Sequence, residues 1–262
     1  MLRSLWNGAS GMNAQAQKMD TLANNLANIN TIGYKKNQAN FQDLVYQALN
    51  KIGNPVNLRT IDGTPLQNGV GVKLASNAKL FSQGSLMETN RSQDLAITGK
   101  GFFGIQLDSG EIAYTRDGSF QLDSEGYISN SAGRLVLEPE IRITEDTKEI
   151  AISPTGEIAA VTMDGQRQII GSVPLFNFTN PAGLRGIGQN LFLATDSSGE
   201  LQKGVPGSEG FGVVRQGFLE MSNVDLAEEL SQLIQTQRAY ELNSRSIKTA
   251  DEMWSMANSL KR

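Results

Sequence analysis

Apolar or small residues fall at Leu2, Leu5, Ala9, Met12, Ala16, Met19, Ala23 and Leu26, in alternating steps of three and four. That spacing is the a/d heptad of a coiled-coil seam, sustained over most of four repeats. It commits the amino end to a helix whose stripe has to meet another helix. Trp6, Leu22 and Ile29 widen the stripe. Gly8 and Gly11 weaken the helix, each by about 1 kcal/mol relative to Ala. Gly33 is the expected stop. The stripe is made largely of Ala and Met. Its small residues permit close approach but offer little burial, at about 25 cal/mol per Å² of apolar surface removed from water.

The carboxyl end carries a second helical rhythm. Asn223 or Ser222 is the expected cap, and Asp225, Glu228 and Glu229 fill the first turns, where the helix dipole favours negative charge. Leu226, Leu230, Leu233, Tyr240, Ile247, Ala250, Trp254 and Ala257 form the apolar track, with polar Gln237 and Ser244 upon it. The helix is expected from near Val224 to near Leu260, with Lys261 and Arg262 closing the chain where cations suit the dipole.

Between the two ends the sequence reads as β structure. Turn signals recur at Asp108-Ser109-Gly110, Asp117-Gly118, Glu125-Gly126, Pro154-Thr155-Gly156, Asp164-Gly165 and Ser197-Ser198-Gly199. Short apolar or alternating runs lie between them, among them FFGIQL, RQIIGSVPLF and QNLFLAT. This spacing predicts hairpins in an antiparallel sandwich or barrel. Residues 34–72 are rich in turn formers; NFQDLVYQALN is compatible with a short helix or an extended arm, and long irregular segments are usually functional or disordered. The expected fold class is α+β. A helix over 1–33 pairs with one over 223–262 as a coiled-coil-like domain, with an arm over 34–72 and a β-rich domain over 73–222. One antiparallel pair with so small a seam needs further partners, and the partners at hand are other copies of the chain.

Composition narrows the chemistry. The 262 residues contain no His and no Cys. Ser–His–Asp and Cys–His nucleophilic sites are excluded in their usual form, as are zinc sites built on those ligands. A formal net charge of −4 without a basic cluster argues against nucleic-acid binding. No run of about 20 apolar residues marks a membrane helix. The first residues lack the apolar core and cleavage site of a signal peptide, which taken alone suggests a cytoplasmic protein. Gly99-Lys100-Gly101-Phe102-Phe103-Gly104 fits the letters of a dinucleotide loop, but a strand follows it where a helix is required, so it reads as a tight turn. Asp117, Asp123 and Glu125 miss calcium-loop spacing and read as two hairpin turns. With 27 acidic residues in the chain, no carboxylate pair stands out for glycosidase chemistry.

SLWNGASGMNAQAQKMD followed by TLANNLANINTIGYKK, the carboxyl QGFLEMSNVDLAEELSQLIQTQRAYELNSRSIKTADEMW and the central DLAITGKGFFGIQLDSGEIAYTRDGSFQLDSEGYI resemble the bacterial flagellar axial proteins, the rod and hook subunits. The signature residues are Ala23, Asn24, Asn25, Leu26, Ala27, Asn28, Thr31, Gly33 and Tyr34. The length, the opening MLRSLW and the segment after the first helix are most similar to the distal-rod branch; proximal-rod and hook-type subunits are the alternatives within the family. The resemblance implies a non-enzymatic subunit without cofactor or metal. Copies would assemble into a helical tube that carries motor torque to the hook, with the terminal helices lining the tube and the β domain facing outward. Its partners would be further copies, other rod subunits, hook or hook-junction subunits and the flagellar export apparatus, with outer ring proteins as a further candidate. The resemblance also places the chain in the basal body, exported beyond the cytoplasmic membrane without a cleaved signal peptide, and so revises the cytoplasmic reading. No nucleic acid and no direct membrane insertion are expected. The weak seam further predicts that the helices are disordered in a lone subunit and fold on assembly. A secreted β-domain enzyme or carbohydrate-binding module with helical oligomerisation ends is the competing class; the absence of His, of Cys and of any Trp between Trp6 and Trp254 weighs against it.

Overall fold

The computed structural model describes residues 2–44, 47–48, 67–107, 109–137, 139, 147–162 and 167–259. The chain divides into two compact units. The first joins both ends of the chain with part of the segment after the first helix: Met1–Ala27, Asn37–Ala78 and Asp225–Arg262. The second comprises Asn28–Lys36 and Lys79–Val224. The fold is α+β, with two terminal helices and an antiparallel β-rich middle.

In the helical unit, α1 spans Leu2–Ala27 and α2 spans Leu226–Ser259. At about 1.5 Å per residue they are roughly 39 and 51 Å long. α1 ends ahead of Gly33. The Asn28 carbonyl accepts the Thr31 amide at 3.1 Å and its side-chain oxygen accepts the Thr31 hydroxyl at 3.1 Å, which offers the backbone a turn in place of another helical bond. The cap of α2 is neither Asn223 nor Ser222 but Asp225. Its Oδ1 accepts the amides of Ala227 at 2.8 Å and Glu228 at 3.0 Å. The arm begins as a strand at Asn37–Asp43, which resolves the NFQDL stretch as extended, and pairs with Val72–Lys79. The short strands Gln47–Ala48 and Gln67–Asn68 also pair. Residues 45–46 and 49–66 of the arm, the Asp164-Gly165 turn and the terminal Lys261 and Arg262 lie outside the described residues.

The β unit is built around a seven-stranded sheet. Its order is Arg185–Gly188, Leu191–Leu193, Ile112–Thr115, Phe103–Gln106, Gly133–Leu135, Ile128–Asn130 and Gln121–Leu122. Three more strands, Thr147–Ile152, Glu157–Thr162 and Arg167–Ser172, form a meander. The central strands Phe103–Gln106, Ile112–Thr115 and Leu191–Leu193 are buried on both faces, which explains their contiguous apolar runs. Side chains alternate across a strand. Phe103, Ala113, Leu175, Leu191 and Leu193 enter an aliphatic core with Leu95, Ile97 and Ile105. Their chain neighbours Phe102, Tyr114, Phe176 and Phe192 enter a second, aromatic cluster with Phe178. Rings there meet edge to face, as at Tyr114–Phe178 (4.8 Å) and Phe102–Phe178 (5.9 Å). The GKGFFG stretch is a turn between Leu95–Thr98 and Phe103–Gln106, with Gly99 and Gly101 at positive φ. Asp117 accepts the Ser119 amide at 2.9 Å, and Asp123 opens a turn closed by the Gly126 amide at 2.9 Å, so these acids are turn residues.

A buried charge cluster joins three distant stretches of this unit. Glu220 receives the Lys35 ammonium at 2.6 Å, the Gly84 amide at 2.9 Å and the Arg116 guanidinium at 3.3 Å. The Lys35 ammonium also donates to the Ser82 carbonyl at 2.7 Å, and Arg116 to the Gly99 carbonyl at 2.8 Å. All three charged side chains are almost fully buried. Burial pushes Lys35 and Arg116 below their ordinary pKa values, and the Glu220 carboxylate opposes that shift in both. Glu220→Ala leaves two buried cations facing no carboxylate, a loss expected to cost about 3–5 kcal/mol. Denaturant unfolding of the full chain, followed through the β unit's tertiary signal, measures it; a change within 0.5 kcal/mol, the range of about ±0.5 kcal/mol typical of surface substitutions, contradicts this reading.

Candidate self-assembly interface

The two helices run antiparallel in close contact. Fourteen residues forward on α1, from Gly11 to Asn25, match fourteen back on α2, from Asn243 to Glu229. The approach is set by two glycines. A methyl placed on Gly8 would sit 2.9 Å from Ile247 Cγ1, and one on Gly11 would sit 2.8 Å from Asn243 Nδ2. These residues cost the helix some propensity, and in return their bare backbone admits the α2 side chains.

Two buried polar side chains of the pair make local hydrogen bonds. Asn25 is fully buried. Its Nδ2 donates to Glu229 Oε2 at 3.1 Å and to the Asn37 carbonyl at 2.9 Å, while its Oδ1 accepts the Asn37 amide at 2.9 Å. One side chain therefore ties α1 to α2 and to the first strand of the arm. Thr236, also buried, donates to the Gln232 carbonyl of its own helix at 2.7 Å. The arm returns along α1 as well: Asn7 donates to the Gly69 carbonyl at 3.4 Å and the Val72 amide donates to Ser10 Oγ at 3.5 Å.

The buried face of α1 carries Gly8, Ala14, Leu22 and Asn25. It is thus displaced, by one residue at most positions, from the apolar track read in the sequence. On that track Ala9 and Ala23 are exposed, while Leu5, Met12, Ala16, Met19 and Leu26 are half-buried. Leu2 opens α1, and its side chain lies outside the described set. On α2 the buried residues are Glu229, Thr236 and Ala250; Leu233 and Ile247 are half-buried, and Leu226, Leu230, Tyr240 and Trp254 are exposed. The internal seam uses the glycines, and much of the apolar track remains uncovered in the single chain. By propensity alone Gly8 and Gly11 only weaken the helix, which hides their contact; their three-residue spacing on one face was the available signal. Nothing in the sequence flagged Asn25 with Glu229.

The signature residues divide between the units. Ala23, Asn24, Asn25, Leu26 and Ala27 finish α1 in the helical unit; Asn28, Thr31, Gly33 and Tyr34 belong to the β unit. Gly33 has φ +69°, and a Cβ there would lie 2.6 Å from the Asp117 backbone nitrogen. Its amide donates to the Glu220 carbonyl at 2.8 Å. Tyr34 is buried, with the Lys79 ammonium 5.6 Å from its ring centre.

Gly8→Leu forces a bulky side chain into a close point of the pair and is expected to cost about 1–3 kcal/mol by overpacking. Asn25→Leu removes three hydrogen bonds from a buried site and is expected to cost about 1–3 kcal/mol. Thermal melts of rods assembled from the full chain, followed by far-ultraviolet circular dichroism, test both. The helical signal should be lost at lower temperature, while the β unit's transition stays in place.

Three family models match along the chain. The flagella basal body rod protein model covers residues 5–35, the flagellar hook protein FlgE/F/G D1 domain model covers 96–160, and the flagellar basal body rod FlgEFG protein C-terminal model covers 215–260. The chain is 48% identical to the flagellar basal-body rod protein FlgG of Borreliella burgdorferi over 266 aligned positions, covering 100% of both chains. It is 45% identical to FlgG of Buchnera aphidicola from Acyrthosiphon pisum, covering 97% of each. Identity to FlgG of Bacillus subtilis is 38%, again covering 100% of both. The full-length matches and the terminal rod-protein models agree: the chain belongs to the FlgG family of flagellar basal-body rod proteins.

Proposed function

We propose that the chain is a structural subunit of the flagellar distal rod, whose copies build a helical tube that carries motor torque to the hook. The observation that carries this reading is the apolar track left uncovered by the helix pair, in a chain similar over its full length to basal-body rod proteins. Ala9, Met12, Ala16, Met19, Ala23 and Leu26 of α1, with Leu226, Leu230, Leu233, Tyr240 and Trp254 of α2, are the groups that neighbouring copies would cover; Ile247 is taken up against Gly8 inside the pair. Contacts between unlike surfaces of identical subunits do not close and so generate helical polymers. Many modest contacts repeated around such a lattice resist shear, as a drive shaft requires. Asn and Gln on the helices suit a wet channel wall. Other rod subunits and hook or hook-junction subunits are the expected axial neighbours. Export through the flagellar apparatus fits a helical unit with a modest core. Among the described residues no helix is long and apolar enough to cross a membrane.

Quantitative mass spectrometry of detergent-washed basal bodies tests the assignment. Many copies per basal body beside hook and other rod proteins are expected; a chain found only as a soluble species contradicts it. Leu26→Asp or Leu233→Asp places a charge where neighbouring helices pack, at a cost too large for the lattice to absorb. Either variant should abolish motility and incorporation into basal bodies while the β unit keeps its native circular dichroism. Normal swimming in both would contradict the interface.

A further inference from the structure

α2 outruns its partner. Continuing the antiparallel register outward from Gly8 opposite Ile247 brings Leu2, the first residue of α1, level with Glu252 or Met253. The six residues Trp254–Ser259 extend beyond it, about 9 Å of helix. Every residue from Asp251 to Ser259 is exposed, including Met253, Trp254 (47%) and Met256 (59%). Large apolar side chains at a helix end, with acidic Asp251 and Glu252 at its base, form a plug without a socket on its own helix pair.

A socket exists elsewhere in the same unit. Between α1 and the strand Val72–Lys79 lies a groove of about 430 Å³, lined by Trp6, Ala9, Ala14, Val72 and Leu74, with Lys73 among its lining residues. Its volume falls in the range of pockets that enclose small molecules, about 300–1,000 Å³. Trp6 is 71% exposed beside it. The plug cannot turn back into this groove, because α2 runs past the start of α1 in the opposite direction from Trp6–Gln17.

We propose that the Trp254–Met256 end of α2 seats in the Trp6–Leu74 groove of the next copy along the polymer. The proposal rests on the rod reading above and adds its axial contact. Met253, Trp254 and Met256 meet an apolar floor, Trp254 meets the face or edge of Trp6, and Asp251 and Glu252 meet Lys73. Plug and groove are different surfaces, so each contact leaves one of each free and the chain of subunits stays open. The groove's midpoint lies about ten residues into α1 and the plug about two residues beyond its start, which sets plug-linked neighbours roughly 18 Å apart along the helix axis.

The chain's lack of cysteine makes the test clean. Basal bodies are isolated from cells carrying the full chain with Ala9→Cys and Met256→Cys, then mildly oxidised. A ladder of covalent dimers, trimers and higher multimers that needs both cysteines is expected. A double variant that is present in basal bodies and stays monomeric on oxidation overturns the plug, with the rod reading intact. A wild-type chain missing from basal bodies overturns the rod reading instead. If the cysteine variant does not assemble, charge reversal decides. Lys73→Glu and Glu252→Lys should each lose most motility, and the two together should regain it; no recovery in the combined variant overturns the contact.

Discussion

Gly8 and Gly11 have no side chains, and the pairing of the terminal helices depends on that. Their backbones leave room for Ile247 and Asn243, so the helices meet along a face of α1 that carries little apolar area. Close contact of this kind gains dispersion from many atom pairs and only modest hydrophobic burial. Asn25 then supplies direction: its bonds to Glu229 and Asn37 fix which residues face one another and where the chain leaves the helix. A pair held by close fit and one buried amide has a defined register without a large core. It also leaves Leu, Met and Trp side chains of both helices available to neighbours.

The β unit solves a different problem. Its central strands bury mostly aliphatic side chains on one face and mostly aromatic ones on the other, so alternate residues of one short run serve two clusters. The Glu220 carboxylate gathers Lys35, Gly84 and Arg116, stretches far apart in sequence, around one buried point. Such a unit holds its shape from within. The helical unit exposes Trp6, Ile234, Leu242 (63%) and Met256, which other copies would cover in the proposed rod. In the proposed rod, one unit is a finished part and the other is a joint.

Periodicity and turn chemistry made much of this legible in the sequence. The three–four spacing gave both helices, and the Gly-containing turns with their short apolar runs gave the antiparallel β middle. The GKGFFG stretch was readable as a turn because a strand follows it. The phase of the helix seam was not readable, because closest approach decides it and a glycine scores only as a loss of propensity. The end of α1 was misplaced for a related reason. Gly33 looks like a stop, yet side-chain bonds between Asn28 and Thr31 end the helix earlier, and Gly33 serves a tight contact with Asp117 in the β unit. Asn223 had the residue type of a cap, but its amide donates to the Leu80 carbonyl and Ser82 instead, and Asp225 caps α2. Lys35, Arg116 and Glu220 lie too far apart in sequence for any local pattern to link them.

Amide hydrogen exchange, compared between the free chain and isolated rods, bears most directly on the claim that the helix pair is completed by its neighbours. Leu5–Leu26 should exchange quickly in the free chain and slowly in the rods, while the strands around Ile97, Phe103 and Ile105 are protected equally in both. Strong protection of Leu5–Leu26 in the free chain would show the pair to be stable alone and would contradict the account.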